Sequence, residues 1–125
     1  MPELEHRRVL VVEDDEDLAA SIAERLQQAG YPADIAANGN EALEQLSRDP
    51  LPGLILLDLL LPKMDGFTFL RHQRSDPRLS RVPVCVMSAL VRAGDERIGK
   101  VSDAIAKPIE TDLLLQVVER HCGRL

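Results

Sequence analysis

The segment RVLVVEDDED, residues 8–17, decides the fold of this chain because an apolar β-branched run ends abruptly in acids. Such a run is typical of a parallel strand that is buried on both faces, so we predict a first strand over residues 8–13. The acids that follow mark the start of a helix, in which Asp15 supplies a cap and the next two acids lie in the first turn. Apolar residues at helical spacing continue until Gly30, which we expect to end this first helix.

The remainder of the chain repeats this alternation of strand and helix. Further strands are predicted over residues 33–36, 54–57, 82–87 and 103–106. Helices are predicted around Ala42, Leu43 and Leu46, from Phe67 and Leu70, over residues 92–101, and along an inner face formed by Leu114, Val117, Val118 and His121. Five such repeats without an internal linker predict an α/β fold, a parallel sheet with helices on both faces and right-handed crossovers.

Composition indicates one cytoplasmic domain, which we expect to span residues 1–125. The chain has 125 residues, 45% of them hydrophobic and 29% charged, as in ordinary globular domains. No apolar run approaches the roughly 20 residues of a membrane helix, and the N-terminus carries no apolar signal core. A net charge of −6 argues against nucleic acid binding by the domain's own surface. The two cysteines, Cys85 and Cys122, lack metal or redox spacing, and we expect reduced thiols.

Polar residues follow four of the predicted strands at the point where each strand ends. In open α/β sheets, ligands bind beyond the carboxyl ends of the strands, so these residues should form one site. They are Glu13 and Asp14, Asp58, Ser88 and Lys107. Each has a structural explanation when taken alone: the acids after strand 1 could cap a helix, Asp58 could be a turn residue, and Lys107 could be a solvated lysine. Their coincidence at one sheet edge favours a functional site.

The chemistry of this set suits a phosphoryl group and a divalent cation. Three carboxylates brought together repel one another unless a cation neutralises them, and an all-oxygen set suits Mg²⁺. Lys107 adds a positive charge and Ser88 a hydroxyl donor, which together form a clamp for phosphoryl oxygens. Asp58 can then act as the nucleophile.

Four segments also resemble a known family, the receiver domains of two-component response regulators. They are VLVVEDDEDL (residues 9–18), LILLDLLLPKMDGF (54–67), VPVCVMSA (82–89) and AKPI (106–109), and the resemblance covers about residues 7–122. It implies a flavodoxin-like doubly wound, five-stranded parallel sheet of order 2-1-3-4-5 with five helices. A CheY-like receiver is a signalling module, and it catalyses only its own phosphorylation and dephosphorylation.

The resemblance also implies a role for each site residue. Asp58 matches the aspartate that accepts phosphate from a histidine kinase or phosphotransfer protein, after which the domain binds a downstream protein target. Asp14 matches the direct Mg²⁺ ligand, Glu13 the acid that acts through water, and Leu60 the residue that lends its backbone carbonyl. Ser88 matches the switch hydroxyl. Lys107 matches the lysine that pairs with a phosphoryl oxygen, and its bond to the following proline is expected to be cis.

One position departs from the family, and other functions remain as alternatives. Ala104 stands where the family often has an aromatic switch residue, so we expect the switch to run through movement of residues 90–94 instead. A pseudo-receiver, which binds proteins without being phosphorylated, is the main alternative. An enzyme is a second one: a flavodoxin would need a phosphate loop in place of EDDED, residues 13–17, and an aspartyl-phosphate hydrolase would need an acid in place of Leu60.

Overall fold

The computed structural model describes residues 4–48, 50–61, 63–89 and 101–123, with the backbone alone over residues 4–7. Five strands and four helices occur within these ranges. The strands are β1 (Leu4–Val12), β2 (Ala33–Ala36), β3 (Leu51–Asp58), β4 (Val84–Ser88) and β5 (Asp103–Ala106). The helices are α1 (Glu16–Gln28), α2 (Gly39–Leu46), α3 (Gly66–Ser75) and α4 (Thr111–Cys122).

The five strands form one sheet in the order β2-β1-β3-β4-β5, and every neighbouring pair is parallel. The predicted strand order and the predicted fold class are therefore confirmed. The described residues contain four helices where five were predicted. The fifth predicted helix is the one over residues 92–101. This segment lies outside the described residues except for Val101, which is not helical.

Helices cover the sheet on both faces, and the central strands supply apolar side chains to each. Val9 and Val11 pack in one buried cluster with α1 and α4, whereas Leu10 and Val12 pack in a second cluster with α2 and α3. This split follows from the alternation of side chains along a strand. All eight residues of β3 are buried, as expected for a parallel strand between two helical layers. No helix among the described residues is long and apolar enough to cross a membrane.

Some strand boundaries differ from the predicted ones for identifiable reasons. Strands β1 and β3 both begin earlier than their apolar patterns indicated, because Leu4 pairs with Leu51 ahead of a register shift. Strand β4 begins later, at Val84, because the backbone N–H of Val82 donates to the carbonyl of Leu79 in the preceding turn. The predicted bounds of β2 and β5 are confirmed. In β1, β3 and β4 the hydrophobic run located the strand but did not set its first residue.

Side-chain caps start three of the helices close to the carboxyl edge of the sheet. The capping carboxylate or amide oxygens belong to Asp15, Asn38 and Asp65, which accept the backbone N–H groups of Leu18, Glu41 and Thr68. The cap predicted at Asp15 is thereby confirmed. At the other end of α1, Gly30 has a φ of 93°, a left-handed conformation that suits glycine.

Helix α4 and the cysteines complete the core. Three of the predicted inner residues of α4 are buried, but Cys122 takes the buried place predicted for His121. The ring of His121 lies half-buried, and its Nε2 is 2.8 Å from Asp103 Oδ2. Both cysteines are free and buried. Burial raises the pKa of the Cys85 thiol to about 12 and that of Cys122 to about 11, so both remain protonated at neutral pH.

Candidate functional site

The carboxyl edge of the sheet brings the predicted polar residues together. Glu13 follows β1, Asp58 ends β3 and Ser88 ends β4, and all three side chains are buried. Lys107 follows β5 and is half-buried, while Asp14 is exposed. The register explains this convergence, because Asp58 pairs with the residue before Ser88, and Ser88 pairs with the residue before Lys107.

Lys107 joins the two buried acids of this edge. Its Nζ lies 2.7 Å from Glu13 Oε1 and 3.2 Å from Asp58 Oδ2. The other oxygen of each acid accepts a backbone N–H: Glu13 Oε2 from Asp15 at 3.2 Å, and Asp58 Oδ1 from Leu60 at 3.1 Å. The lysine is held in turn by its own backbone N–H, which donates to the Ser88 carbonyl. The site is therefore a fixed array of charges rather than a set of solvated side chains.

Burial and mutual repulsion govern the ionisation of this array. Burial is the largest influence on the pKa of Glu13 and raises it, and the charge of Asp58 raises it as well. The hydrogen bonds from Lys107 and from the Asp15 backbone lower this pKa. The net effect is a pKa above the ordinary value of 4.5. Burial alone lowers the pKa of Lys107. The hydrogen bond to Glu13 and the charge of Asp58 outweigh that effect, so its pKa is raised and the lysine stays positively charged. The single positive charge of Lys107 thus lies at a cluster of three acids, Glu13, Asp14 and Asp58.

The excess of acid forms a donor set that fits Mg²⁺. Glu13, Asp14 and Asp58 each offer a carboxylate oxygen, and these oxygens lie within 4.8 Å of one another. Mg²⁺ binds carboxylate oxygens and keeps several waters, which the exposed position of Asp14 allows. Leu60 is 59% exposed, and its backbone N–H donates to Asp58 Oδ1. Its backbone carbonyl stays a predicted ligand of the cation.

Two details of the predicted switch fall within the described residues. The Lys107–Pro108 peptide bond is cis, as predicted. Ala104 pairs with Val86 in the sheet and packs half-buried against the core cluster of α2 and α3, so no aromatic ring occupies that position. Residues 90–94, the predicted moving segment, lie outside the described residues.

Sequence reasoning assigned no role to Gly66. A Cβ atom placed on Gly66 would lie 2.5 Å from Leu59 Cα and 2.8 Å from the Asp58 carbonyl oxygen. The backbone N–H of Gly66 also donates to the carbonyl of Leu59 at 3.0 Å. The start of α3 therefore packs directly on the backbone of the acid-bearing strand end. The Asp65-Gly66 pair was the available signal, because a cap followed by the smallest residue permits such an approach.

We expect Gly66→Ala to lower the free energy of unfolding by about 1 to 3 kcal/mol, since the added methyl group meets backbone that cannot rotate away. Urea denaturation measures this loss. Gly39→Ala is the matched control, because Gly39 also follows a capping residue and begins a helix, but the three atoms nearest to its added Cβ belong to the Met64 side chain rather than to backbone. An equal loss in both variants would show that backbone contact at Gly66 is not the cause.

A parallel 2-1-3-4-5 sheet with acids, a lysine and a hydroxyl at its carboxyl edge defines a flavodoxin-like α/β domain with a polar site beyond the strand ends. The sequence model of the response regulator receiver domain family matches residues 9–119. The chain belongs to this family. It is accordingly a CheY-like receiver domain, a signalling domain of two-component systems.

Individual relatives agree with this assignment. The chain is 38% identical over 110 residues to the response regulator PleD of Caulobacter vibrioides, covering 86% of this chain but 24% of PleD. It is 31% identical to the polar-differentiation response regulator DivK of Brucella anthropi, covering 94% of this chain and 97% of DivK. The chain thus spans about a quarter of one relative and nearly all of the other.

A solved structure is consistent with the predicted magnesium site at the acidic edge. The receiver domain of a sensor histidine kinase from Pseudomonas aeruginosa superposes with a TM-score of 0.83 at 28% identity, covering 94% of this chain and 96% of that one. That crystal structure contains a magnesium ion coordinated in its active-site cleft. The acidic cluster of the present chain is consistent with the same ion.

Proposed function

We propose that this domain is a phosphorylation-switched receiver in which Asp58 accepts a phosphoryl group in the presence of Mg²⁺. The observation that carries the proposal is the buried array in which Lys107 bridges Glu13 and Asp58. An isolated buried acid would be structural more often than functional. A buried strand-end acid next to both a lysine and a cation-fitting acid cluster is what phosphoryl transfer requires.

Each residue of the array has a part in the transfer. A carboxylate oxygen of Asp58 forms a bond to phosphorus while the bond between phosphorus and the donor breaks, and the donor leaves with that electron pair. Lys107 and the Ser88 hydroxyl donate to phosphoryl oxygens. Mg²⁺ would be held by Asp14, Glu13, Asp58 and the Leu60 carbonyl. When bound, the ion would neutralise negative charge on the acids and on the phosphoryl oxygens.

The proposed donors and targets are proteins. A phosphohistidine of a histidine kinase or phosphotransfer protein supplies the phosphoryl group, and a downstream protein target recognises the altered surface. We further propose a cytoplasmic single domain with its core over residues 7–122, whose only reactions are its own phosphorylation and dephosphorylation. The family assignment and the relatives named above support these proposals.

Intact-mass analysis after incubation with acetyl phosphate tests the proposal. We expect one added phosphoryl group when Mg²⁺ is present and none when the divalent cation is removed with a chelator. Labelling that does not depend on Mg²⁺ would contradict the proposed cation site. No labelling under either condition would favour the pseudo-receiver, a module that binds partners without being phosphorylated.

A further inference from the structure

The loop over residues 107–110 joins β5 to α4, and it leads into a helix whose first turn has no side-chain cap. Glu110 occupies the N-cap position of α4, and its carboxylate accepts no capping hydrogen bond from the described residues of that helix. The other three described helices each begin with such a cap. The position of this loop therefore depends on contacts with other parts of the chain.

Two hydrogen bonds to the backbone hold the first three residues of the loop. The backbone N–H of Lys107 donates to the carbonyl of Ser88 at 3.2 Å. The carbonyl of Ile109 accepts from Nη1 of Arg25, in the last turn of α1, at 3.2 Å, and these two residues are 84 positions apart. The stretch 107–109 is thus held at its first N–H group by β4 and at its last carbonyl by α1.

The Arg25 side chain is itself held in the direction of the loop. It is half-buried, and its Nη2 donates to Ser21 Oγ, one turn earlier in α1, at 3.0 Å. A guanidinium is a rigid planar fork, so fixing one of its nitrogens fixes the direction in which the other donates. No ion pair among the described residues includes Arg25. Its charge therefore strengthens hydrogen bonds to neutral oxygens, because charge-assisted bonds are roughly twice as strong as neutral ones.

We propose that Arg25 is a positioning residue for Lys107 and that it acts through the carbonyl of Ile109. This inference rests on the proposed function, in which Lys107 pairs with a phosphoryl oxygen on Asp58. The Lys107 ammonium lies 3.2 Å from Asp58 Oδ2, at the end of a long side chain whose placement follows the backbone. A group that acts on a reacting centre must be held within about 0.5 Å of its productive position. A loop released from α1 would let the ammonium leave that range.

Apolar packing should preserve the fold of the domain when the guanidinium is removed. The side chain of Ile109 is buried in a cluster that also contains Ile22 and Leu26 of α1 and Leu114 of α4. These contacts do not involve the guanidinium, so both helices should remain docked. The hydrophobic effect is non-directional, however, and does not orient the backbone of the loop. Loss of the Arg25 hydrogen bond should therefore affect the lysine more than folding.

Two measurements on Arg25→Met test the proposal, because methionine keeps an unbranched apolar side chain but has no donor. The initial rate of phosphoryl uptake from acetyl phosphate at saturating Mg²⁺ should fall about tenfold, as when a group that orients a reacting side chain is lost. The NMR resonance of the Lys107 ammonium nitrogen, assigned by its absence in Lys107→Met, should move towards that of a solvated lysine. The second measurement needs no phosphoryl donor, so it is independent of whether Asp58 is phosphorylated.

Arg8→Met is the matched control. Arg8 is also a half-buried arginine whose guanidinium donates to a backbone carbonyl, that of Pro50, at 2.7 Å. Pro50 directly precedes β3, so this bond lies at the edge of the sheet where the strands begin, away from Lys107. We expect Arg8→Met to keep the uptake rate and the lysine resonance of the wild type. Equal changes in both variants would indicate general destabilisation and would overturn the proposal.

The remaining outcomes are also decisive. In Arg25→Met, an unmoved Lys107 resonance, or a moved one with an unchanged rate of uptake, would overturn the proposal. If the wild type takes up no phosphoryl group and the resonance moves in Arg25→Met alone, the proposed function fails but the positioning of Lys107 stands. If Arg25→Met does not fold, Ser21→Ala replaces it, because alanine favours a helix and Arg25 is retained. The resonance should then move less in the same direction, and an unmoved resonance would contradict the inference.

Discussion

Asp58→Asn is expected to abolish phosphoryl uptake from acetyl phosphate. The amide that replaces the carboxylate keeps the shape of the side chain but removes the nucleophilic oxygen charge. Asp58 and Glu13 both combine a strand-end position, burial, a contact with Lys107 and a place in the proposed cation site. The match to the receiver family selects Asp58 of the two as the acceptor. Intact-mass analysis should therefore show the unmodified mass in Asp58→Asn and one added phosphoryl group in the wild type.

Asp65→Asn provides a matched control for this loss. Asp65 is an exposed acid near Asp58 in sequence, and its role is to cap α3. Asparagine caps helices about as well as aspartate, so folding should be preserved. Asp65→Asn should be labelled like the wild type. If Asp58→Asn were still labelled at one site, the phosphoacceptor would have to be another residue of the acidic edge.

Local patterns in the sequence predicted much of the fold because buried parallel strands have a simple signature. Each apolar run that ends in a polar residue corresponds to a strand, and the capping pattern at Asp15 gave the start of α1. The same rule placed Glu13, Asp58 and Lys107 at one edge. Strand order came from the family resemblance, because periodicity along a chain does not show which strands are neighbours.

Contacts between distant residues could not be predicted in the same way. The close approach of Gly66 to Asp58, and the earlier start of β1 opposite Leu51, depend on the paths of two separate segments. The hydrogen bond between Lys107 and Glu13 is a further case, because the two residues are 94 positions apart. The sequence around either residue does not indicate that they pair. The sequence predicted which residues meet at the carboxyl edge but not the pairing of Lys107 with Glu13 among them.

Lys107→Met is expected to lower the free energy of unfolding by about 3 kcal/mol at neutral pH without divalent cations, as when one partner of a buried ion pair is removed. Methionine retains the long side chain but lacks the ammonium group, so Glu13 and Asp58 face each other without compensation. Urea denaturation measures the loss. Lys63→Met is the control, because Lys63 is exposed and its replacement should change stability little.

The pH dependence of this loss identifies its cause. Lys107 lowers the pKa of Glu13, so its removal should raise that pKa further above the ordinary value of 4.5. A carboxyl group with a raised pKa in the native state binds protons more tightly there than in the unfolded state, so stability increases as the pH falls towards 4.5. The deficit of Lys107→Met relative to the wild type should therefore shrink on acidification. A deficit that is constant with pH would indicate lost packing of the lysine stem instead.

Mg²⁺ should rescue Lys107→Met more than it stabilises the wild type. The ion and the lysine neutralise the same acids, so an acid cluster without its lysine should bind the cation more tightly and gain more stability from it. Urea denaturation with and without Mg²⁺ measures both gains, and Asp14→Asn combined with Lys107→Met should reduce the rescue by removing one ligand of the proposed site. Equal Mg²⁺ stabilisation of wild type and Lys107→Met would mean that the cation binds elsewhere and that Lys107 does not share its acids.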